Sequence, residues 1–135
     1  PGDRGFDVQI KGAPPKVKVP SIPKFRNEIN TYHLKLVENV LAVSQRQDDD
    51  EKDWLDEVLA MSVDDPRLED VPAKFVMLNR SLKPALEESC RKESEIMEEI
   101  NSIKLATNKA GGKLITSRKI IAIIYNNLSV DNSLL

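Results

Sequence analysis

The residue types that most often carry catalysis or bind metals are scarce in this chain. It has one histidine, His33, and one cysteine, Cys90, among 135 residues. A hydrolytic triad needs a histidine base beside its nucleophile, and a zinc finger needs four Cys or His ligands. His33 follows Tyr32 in a helical pattern, where a place at the edge of the core is the usual outcome. We therefore expect no catalytic site and no zinc site.

Cys90 has the surroundings of a structural cysteine. Glu87, Glu88 and Glu93 lie near it in the sequence, and their charges would raise the pKa of the thiol rather than activate it. Helical spacing predicts a buried side chain. Because a single cysteine cannot form an internal disulfide, we expect an intracellular protein, cytoplasmic or nuclear.

Two segments have part of the composition of a ligand-binding loop. Asp48–Leu59 is acidic like a calcium loop, but it lacks the central glycine and ends in Leu rather than Glu. Gly112-Lys113 would fit a phosphate-binding loop only with a glycine at position 107 and a hydroxyl at 114, where Thr107 and Leu114 stand. We expect no cofactor and no metal.

The charges are unevenly placed although the whole chain carries only -2. Residues 48–70 hold eleven acids and two bases, a net -9. Residues 109–119 carry +4 and residues 1–24 carry +3. Opposite potentials on separate surfaces steer association with a charged partner. The alternative is a solvated acidic loop that the chain's own basic segments balance.

Apolar residues recur at helical spacing over most of the chain. The first predicted helix runs for about 22 residues from Lys24. The second begins near Asp53, a suitable N-cap, and ends near Ser62. A third begins near Asp70, with Pro72 in its first turn.

Pro84 interrupts the third helix, which either kinks there or stops and restarts with Ser81 as the cap; we favour the restart. The next helix is predicted from about Lys83 to Ala110, where Gly111-Gly112 supplies a stop. The last helix is predicted from Leu114 to Leu128. Its β-branched residues would also suit a strand, but the spacing of its isoleucines favours a helix.

The first 23 residues contain five prolines, which exclude a continuous helix. Val17 and Val19 alternate with polar residues, as Phe6, Val8 and Ile10 do, which is typical of extended chain. This arm is either disordered or docked on its own domain or on a partner. No apolar run reaches the ~20 residues of a membrane span, and the start at Pro1 indicates a piece of a longer protein.

The predicted fold is therefore all-α: a four- to five-helix bundle with an extended Pro-rich N-terminal arm. We expect the arm to occupy residues 1–23, the bundle domain residues 24–128, and a frayed tail residues 129–135.

The function predicted from these features is non-enzymatic protein binding, as in an adaptor or scaffold. Trp54, an aromatic residue amid charges, is the candidate anchor; its alternative role is ordinary core. The partner is a protein with a basic or amphipathic segment, held in a groove or on the acidic face. The predicted contact residues are Trp54, Leu55, Asp49, Asp50, Glu51 and Asp56, with Val17, Val19 and Ile22 from the arm.

Two other hypotheses remain open. In one, the chain is a viral or chromatin component that binds nucleic acid through Lys109, Lys113, Arg118 and Lys119. The -9 region makes this less favourable because it repels a polyanion. In the other, the Ile120–Leu128 helix, apolar on more than one face, packs against a second copy.

Overall fold

A computed structural model of the chain describes residues 16–111 and 114–130, apart from the side chain of Ala110. The fold is all-α, as predicted, and these residues contain no β-strand. We name the five α-helices that they form α1 (Ile29–Val43), α2 (Asp50–Asp56), α3 (Val76–Ser89), α4 (Ser94–Ala110) and α5 (Ser117–Asn126). Short 3₁₀ turns cover Arg26–Glu28, Glu57–Ala60, Pro66–Glu69 and Ala73–Phe75.

α5 is the central helix. It packs against α3, α4 and the turns Glu57–Ala60 and Pro66–Glu69, and all its residues from Ile120 to Tyr125 are buried. A helix that is apolar all round is expected where it is surrounded by protein. The several apolar faces that suggested self-association are therefore covered by this chain's own elements.

α1 is shorter than predicted, with 15 residues. The segment before it forms the turn Arg26–Glu28, in which the Glu28 carboxylate accepts hydrogen bonds from the backbone N–H groups of Lys24 and Phe25. This pairing satisfies donors that would otherwise lack acceptors at the helix start.

The predicted restart at Ser81 is wrong, because α3 continues through Pro84. A proline removes its own N–H from the ladder and crowds the preceding turn. Pro84 and Arg80 are both exposed on α3, where no neighbouring element of the described chain packs tightly against this part of the helix. The break comes instead at residues 90–93, where the N–H of Glu93 bonds to the carbonyl of Cys90 over 2.8 Å. The predicted long helix is thus divided between α3 and α4.

The end of α4 confirms the glycine stop. Gly111 takes the left-handed conformation at φ 69°, which residues with a side chain adopt at a cost. α5 begins at Ser117 rather than Leu114, because the Thr116 side chain accepts a hydrogen bond from the N–H of Lys119 and caps the helix.

Segments near the two ends of the described chain are joined. The N–H of Arg26 donates to the carbonyl of Ser129 over 2.9 Å, and the N–H of Ser129 donates to the carbonyl of Lys24 over 3.2 Å. Residues 16–23 form no regular secondary structure. Val17 is buried, and the side-chain amide of Asn39 in α1 donates to the carbonyl of Lys18 over 2.7 Å. The expectations for residues 1–15 and 131–135 lie outside the described residues.

Candidate functional site

The acidic run at residues 48–51 spans the start of α2: Asp48 and Asp49 lie in a bend before the helix, and Asp50 and Glu51 are its first two residues. Asp50, Glu51 and Asp53 occupy the first turn, where carboxylates interact favourably with the positive end of the helix dipole. The predicted start at Asp53 is therefore three residues late. The same dipole effect that favours Asp53 as a cap also favours its position inside the first turn.

An open cavity of about 380 Å³ lies beside α2, and we call it the acidic cavity. Its lining residues come from α2, from the segment between α2 and α3, and from α5. Four acids contribute to its lining: Asp50, Asp53, Glu57 and Asp70. The remaining lining residues are the bases Arg67, Lys74 and Arg118, the aromatic residues Trp54 and Phe75, and Pro72.

The aromatic rings of the acidic cavity form a stack with a cation on each side. Trp54 and Phe75 stack with ring centroids 4.7 Å apart and an angle of 23° between the rings. The guanidinium of Arg118 lies 4.9 Å from the Trp54 ring, and the Lys74 amine lies 5.2 Å from the Phe75 ring. Such contacts fix the relative positions of α2, α5 and the start of α3.

Trp54 is a core residue in this arrangement, the alternative that the sequence left open. Its exposed fraction is 5%, and that of Leu55 is 0%. Neither side chain presents the apolar area that an anchor inserted into a partner needs. Both side chains belong to the hydrophobic core next to the acidic cavity.

Arg118 is buried to an exposed fraction of 3%. Its Nη1 donates to the carbonyl of Trp54 over 2.9 Å and to the Glu57 carboxylate over 2.6 Å, and its Nη2 donates to the carbonyl of Arg67 over 2.8 Å. A guanidinium in this position holds three chain segments together. It is not available to a phosphate on the surface.

The other predicted nucleic-acid contacts do not form a patch in the described residues. The Lys119 amine is hydrogen-bonded to the carbonyl of Val63 and is half-buried, Lys109 is exposed near the end of α4, and Lys113 lies outside the described residues. Of the four bases, Lys109 alone is described as exposed.

The acids of the cavity differ in how their charge is balanced. Asp50 pairs with Lys74 over 2.8 Å, and Glu57 pairs with Arg118 over 2.6 Å. Asp53 and Asp70 are exposed and form no ion pair with any described residue. These two carboxylates are the ones open to an external cation.

The remaining predicted acids take other positions. Asp49 is exposed, whereas Glu51 is buried to an exposed fraction of 7%. Asp56 is half-buried and bonds to Lys52 over 2.7 Å. Burial raises the pKa of Asp56, but hydrogen bonds from Lys52 and His33 outweigh it, so the net effect lowers that pKa.

His33 is more deeply buried than the core edge predicted for it. Its Nε2 contacts Oδ1 of Asp56 at 2.9 Å, and its Nδ1 contacts the Tyr125 hydroxyl at 2.7 Å. Burial raises the pKa of Tyr125 further above its usual value, so the hydroxyl stays protonated. This chain of three groups links α1, α2 and α5, and the two hydrogen bonds occupy both ring nitrogens.

Cys90 is fully buried, as its pattern predicts. Burial, followed by the charges of Glu93 and Glu87, raises the pKa of its thiol to about 11. The nucleophilic thiolate is therefore scarce at neutral pH.

A second cavity, of about 490 Å³, lies between residues 16–19 and α3. Val17, Val19, Pro84 and Ala85 supply apolar lining. Val17 is buried and Val19 is half-buried against the core, while the third predicted arm residue, Ile22, is half-buried outside this lining. The arm residues thus pack on their own domain.

Sequence reasoning missed Phe75, Lys74 and Asp70 as members of the acidic cavity. They lie 17 to 25 residues from α2's first turn in sequence. Asp70 was included in the acidic segment by its charge, but nothing in the sequence pairs Phe75 with Trp54. Only the packing of the Ala73–Phe75 turn against α2 brings them together.

The described residues contain no group of three or more His, Cys, Asp or Glu arranged to hold a metal ion. In that same part of the chain, no helix has both the length and the apolar character needed to cross a bilayer. Comparison of the chain with protein-family models, with curated proteins and with solved structures gives no match.

Proposed function

We propose that the chain is a non-enzymatic protein-interaction domain, a helix bundle with an N-terminal arm, that binds a basic segment of a partner at the acidic cavity. The observation that carries the proposal is the pair Asp53 and Asp70. Both carboxylates line one cavity, both are exposed, and neither forms an ion pair within the described chain.

The electrostatics of the surrounding segment support a cationic partner. Residues 48–70 carry a net charge of -9, which raises the local concentration of a basic peptide and its association rate at low salt. The stacked rings and Arg118 hold the cavity in shape, so little ordering of the protein is needed on binding. An adaptor or scaffold role in the cytoplasm or nucleus agrees with such a surface and with the lone buried cysteine.

Binding of a labelled Lys/Arg-rich peptide, followed by fluorescence anisotropy, tests the proposal. We expect binding that weakens with salt and that Asp53→Asn/Asp70→Asn weakens about tenfold or more. The matched control is Glu95→Gln/Glu98→Gln on α4, which removes the same charge from exposed positions elsewhere.

Equal weakening by the two double variants would contradict the proposal, because it would show attraction to net charge alone. Absence of peptide binding together with retention on a polyanion column at about 50 mM salt would favour the nucleic-acid hypothesis instead.

A further inference from the structure

Two buried N–H groups beside the acidic cavity have no acceptor among the described residues: Nε1 of Trp54 and Nε of Arg118. Both residues line the cavity, with exposed fractions of 5% and 3%. The other buried polar atoms without a described partner belong to Tyr32, Glu51 and Ser117, which do not line it. Two residues that line the acidic cavity therefore hold buried donors without an acceptor, next to carboxylates without an ion pair.

An unpaired buried donor is costly, and a ligand that supplies an acceptor removes that cost. Carboxylates and phosphates are acceptors too. The bases of the lining, however, already pair with Asp65, Asp50 and Glu57, and the unpaired Asp53 and Asp70 would repel an anion. A neutral carbonyl oxygen accepts a hydrogen bond without this repulsion. A peptide offers such a carbonyl beside each side chain, so one basic residue provides both the cation and the acceptor.

We propose that the acidic cavity recognises a basic residue as part of a peptide: Asp53 and Asp70 pair with its cationic side chain while Trp54 Nε1–H donates to a main-chain carbonyl next to it. This inference rests on the proposed function and adds that the cavity also recognises the peptide backbone through a hydrogen bond. Neither nitrogen is open to solvent. Binding of the carbonyl therefore requires a side chain beside Nε1 to move aside.

Trp54 is the only tryptophan in the chain, so its indole N–H gives a single signal in a ¹H–¹⁵N spectrum. The probes are the blocked peptide acetyl-Gly-Arg-Gly-amide and ethylguanidinium, which carries the same cation without a carbonyl. We expect the peptide to shift the indole proton downfield and to slow its exchange with solvent. Ethylguanidinium is expected to shift the backbone amides of Asp53 and Asp70 and to leave the indole signal in place.

Trp54→Phe provides a second measurement on a variant that keeps the aromatic stack. It should weaken peptide binding about fivefold, the effect of one lost hydrogen bond, and leave ethylguanidinium binding unchanged. The far-UV helix signal of the variant checks its folding, and the spectrum of the unaltered chain tests the inference if the variant does not fold.

The outcomes separate the two proposals. If the peptide binds at the Asp53 and Asp70 amides without moving the indole signal, the backbone inference is wrong and the proposed function stands. If neither probe moves those amides and the Lys/Arg-rich peptide does not bind, the proposed function is wrong as well.

Discussion

The Asp65 carboxylate caps the 3₁₀ turn Pro66–Glu69. Its Oδ1 accepts from the backbone N–H of Arg67 over 2.9 Å, and its Oδ2 accepts from the Arg67 guanidinium over 2.7 Å. These bonds from the side chain and then the backbone of Arg67 lower the pKa of Asp65 from 3.8 to about 2.

A pKa that is lower in the folded than in the unfolded state gives a defined pH dependence. The stabilisation by Asp65 is fully present above its unfolded pKa of 3.8 and is lost as the pH falls toward about 2. We expect the difference in free energy of unfolding between the unaltered chain and Asp65→Asn to shrink across this window, as measured by urea unfolding.

The control for this prediction is Asp64→Asn, which removes a neighbouring exposed carboxylate that no described cation pairs with. A difference for Asp65→Asn that stays constant from pH 4 to pH 2, or that is matched by Asp64→Asn, would contradict the assigned role.

His33 shows what can be predicted from the type of a residue and what cannot. As the only histidine beside a single cysteine, it argued against a zinc finger, which needs four Cys or His ligands. Its partners, Asp56 and Tyr125, lie 23 and 92 residues away, and no periodicity links such distant positions. The polar chain that joins α1, α2 and α5 is therefore visible only after folding.

At the scale of elements, Pro84 is a local defect that the fold tolerates. It lies inside α3, exposed to solvent, and supplies no N–H to the helix. We expect Pro84→Ala to raise the free energy of unfolding by about 1–2 kcal/mol, because the missing hydrogen bond forms and the ring no longer crowds the preceding turn. Chemical denaturation measures the change.

Pro72 supplies the matched control. It stands before the Ala73–Phe75 turn at φ -56°, which is a natural value for proline. Pro72→Ala should leave the free energy of unfolding unchanged or lower it slightly, because its only effect is to increase the conformational entropy of the unfolded chain. If Pro84→Ala and Pro72→Ala changed the free energy of unfolding in the same direction, the effect would not be specific to Pro84, and Pro84 would not strain α3.

At the scale of the whole molecule, α5 is buried among this chain's own helices and turns. Ile124 is fully buried there. We expect Ile124→Ala to lower the free energy of unfolding by about 3 kcal/mol through the cavity it leaves. Sedimentation of the folded variant should give the mass of the unaltered protein, because the side chain packs within one chain.

Leu114, with an exposed fraction of 76%, is the control for a lost apolar side chain at the surface. Leu114→Ala should change stability by less than about 0.5 kcal/mol. A smaller oligomer for Ile124→Ala than for the unaltered chain would show instead that α5 contacts a second copy.

The amino-acid sequence alone determined the all-α class, the stop at Gly111 and the buried Cys90, because helical period and glycine conformation act over a few neighbouring residues. Charge counting also located the acidic segment that contributes most of the candidate site. The sequence analysis misplaced the starts of α1, α2 and α5 and the break near Pro84. Helix caps and single hydrogen bonds decide these positions, and the energies involved are small.

Only the tertiary structure decided which charges remain free. The sequence predicted Arg118 and Lys119 to be surface bases, yet backbone carbonyls of α2 and of two turns distant in sequence accept their hydrogen bonds. The sequence left Trp54 open between anchor and core, and its burial and its stacking on Phe75 identify it as core. The reason is physical: a side chain's availability depends on long-range packing and burial, which the order of residues along a chain does not reveal.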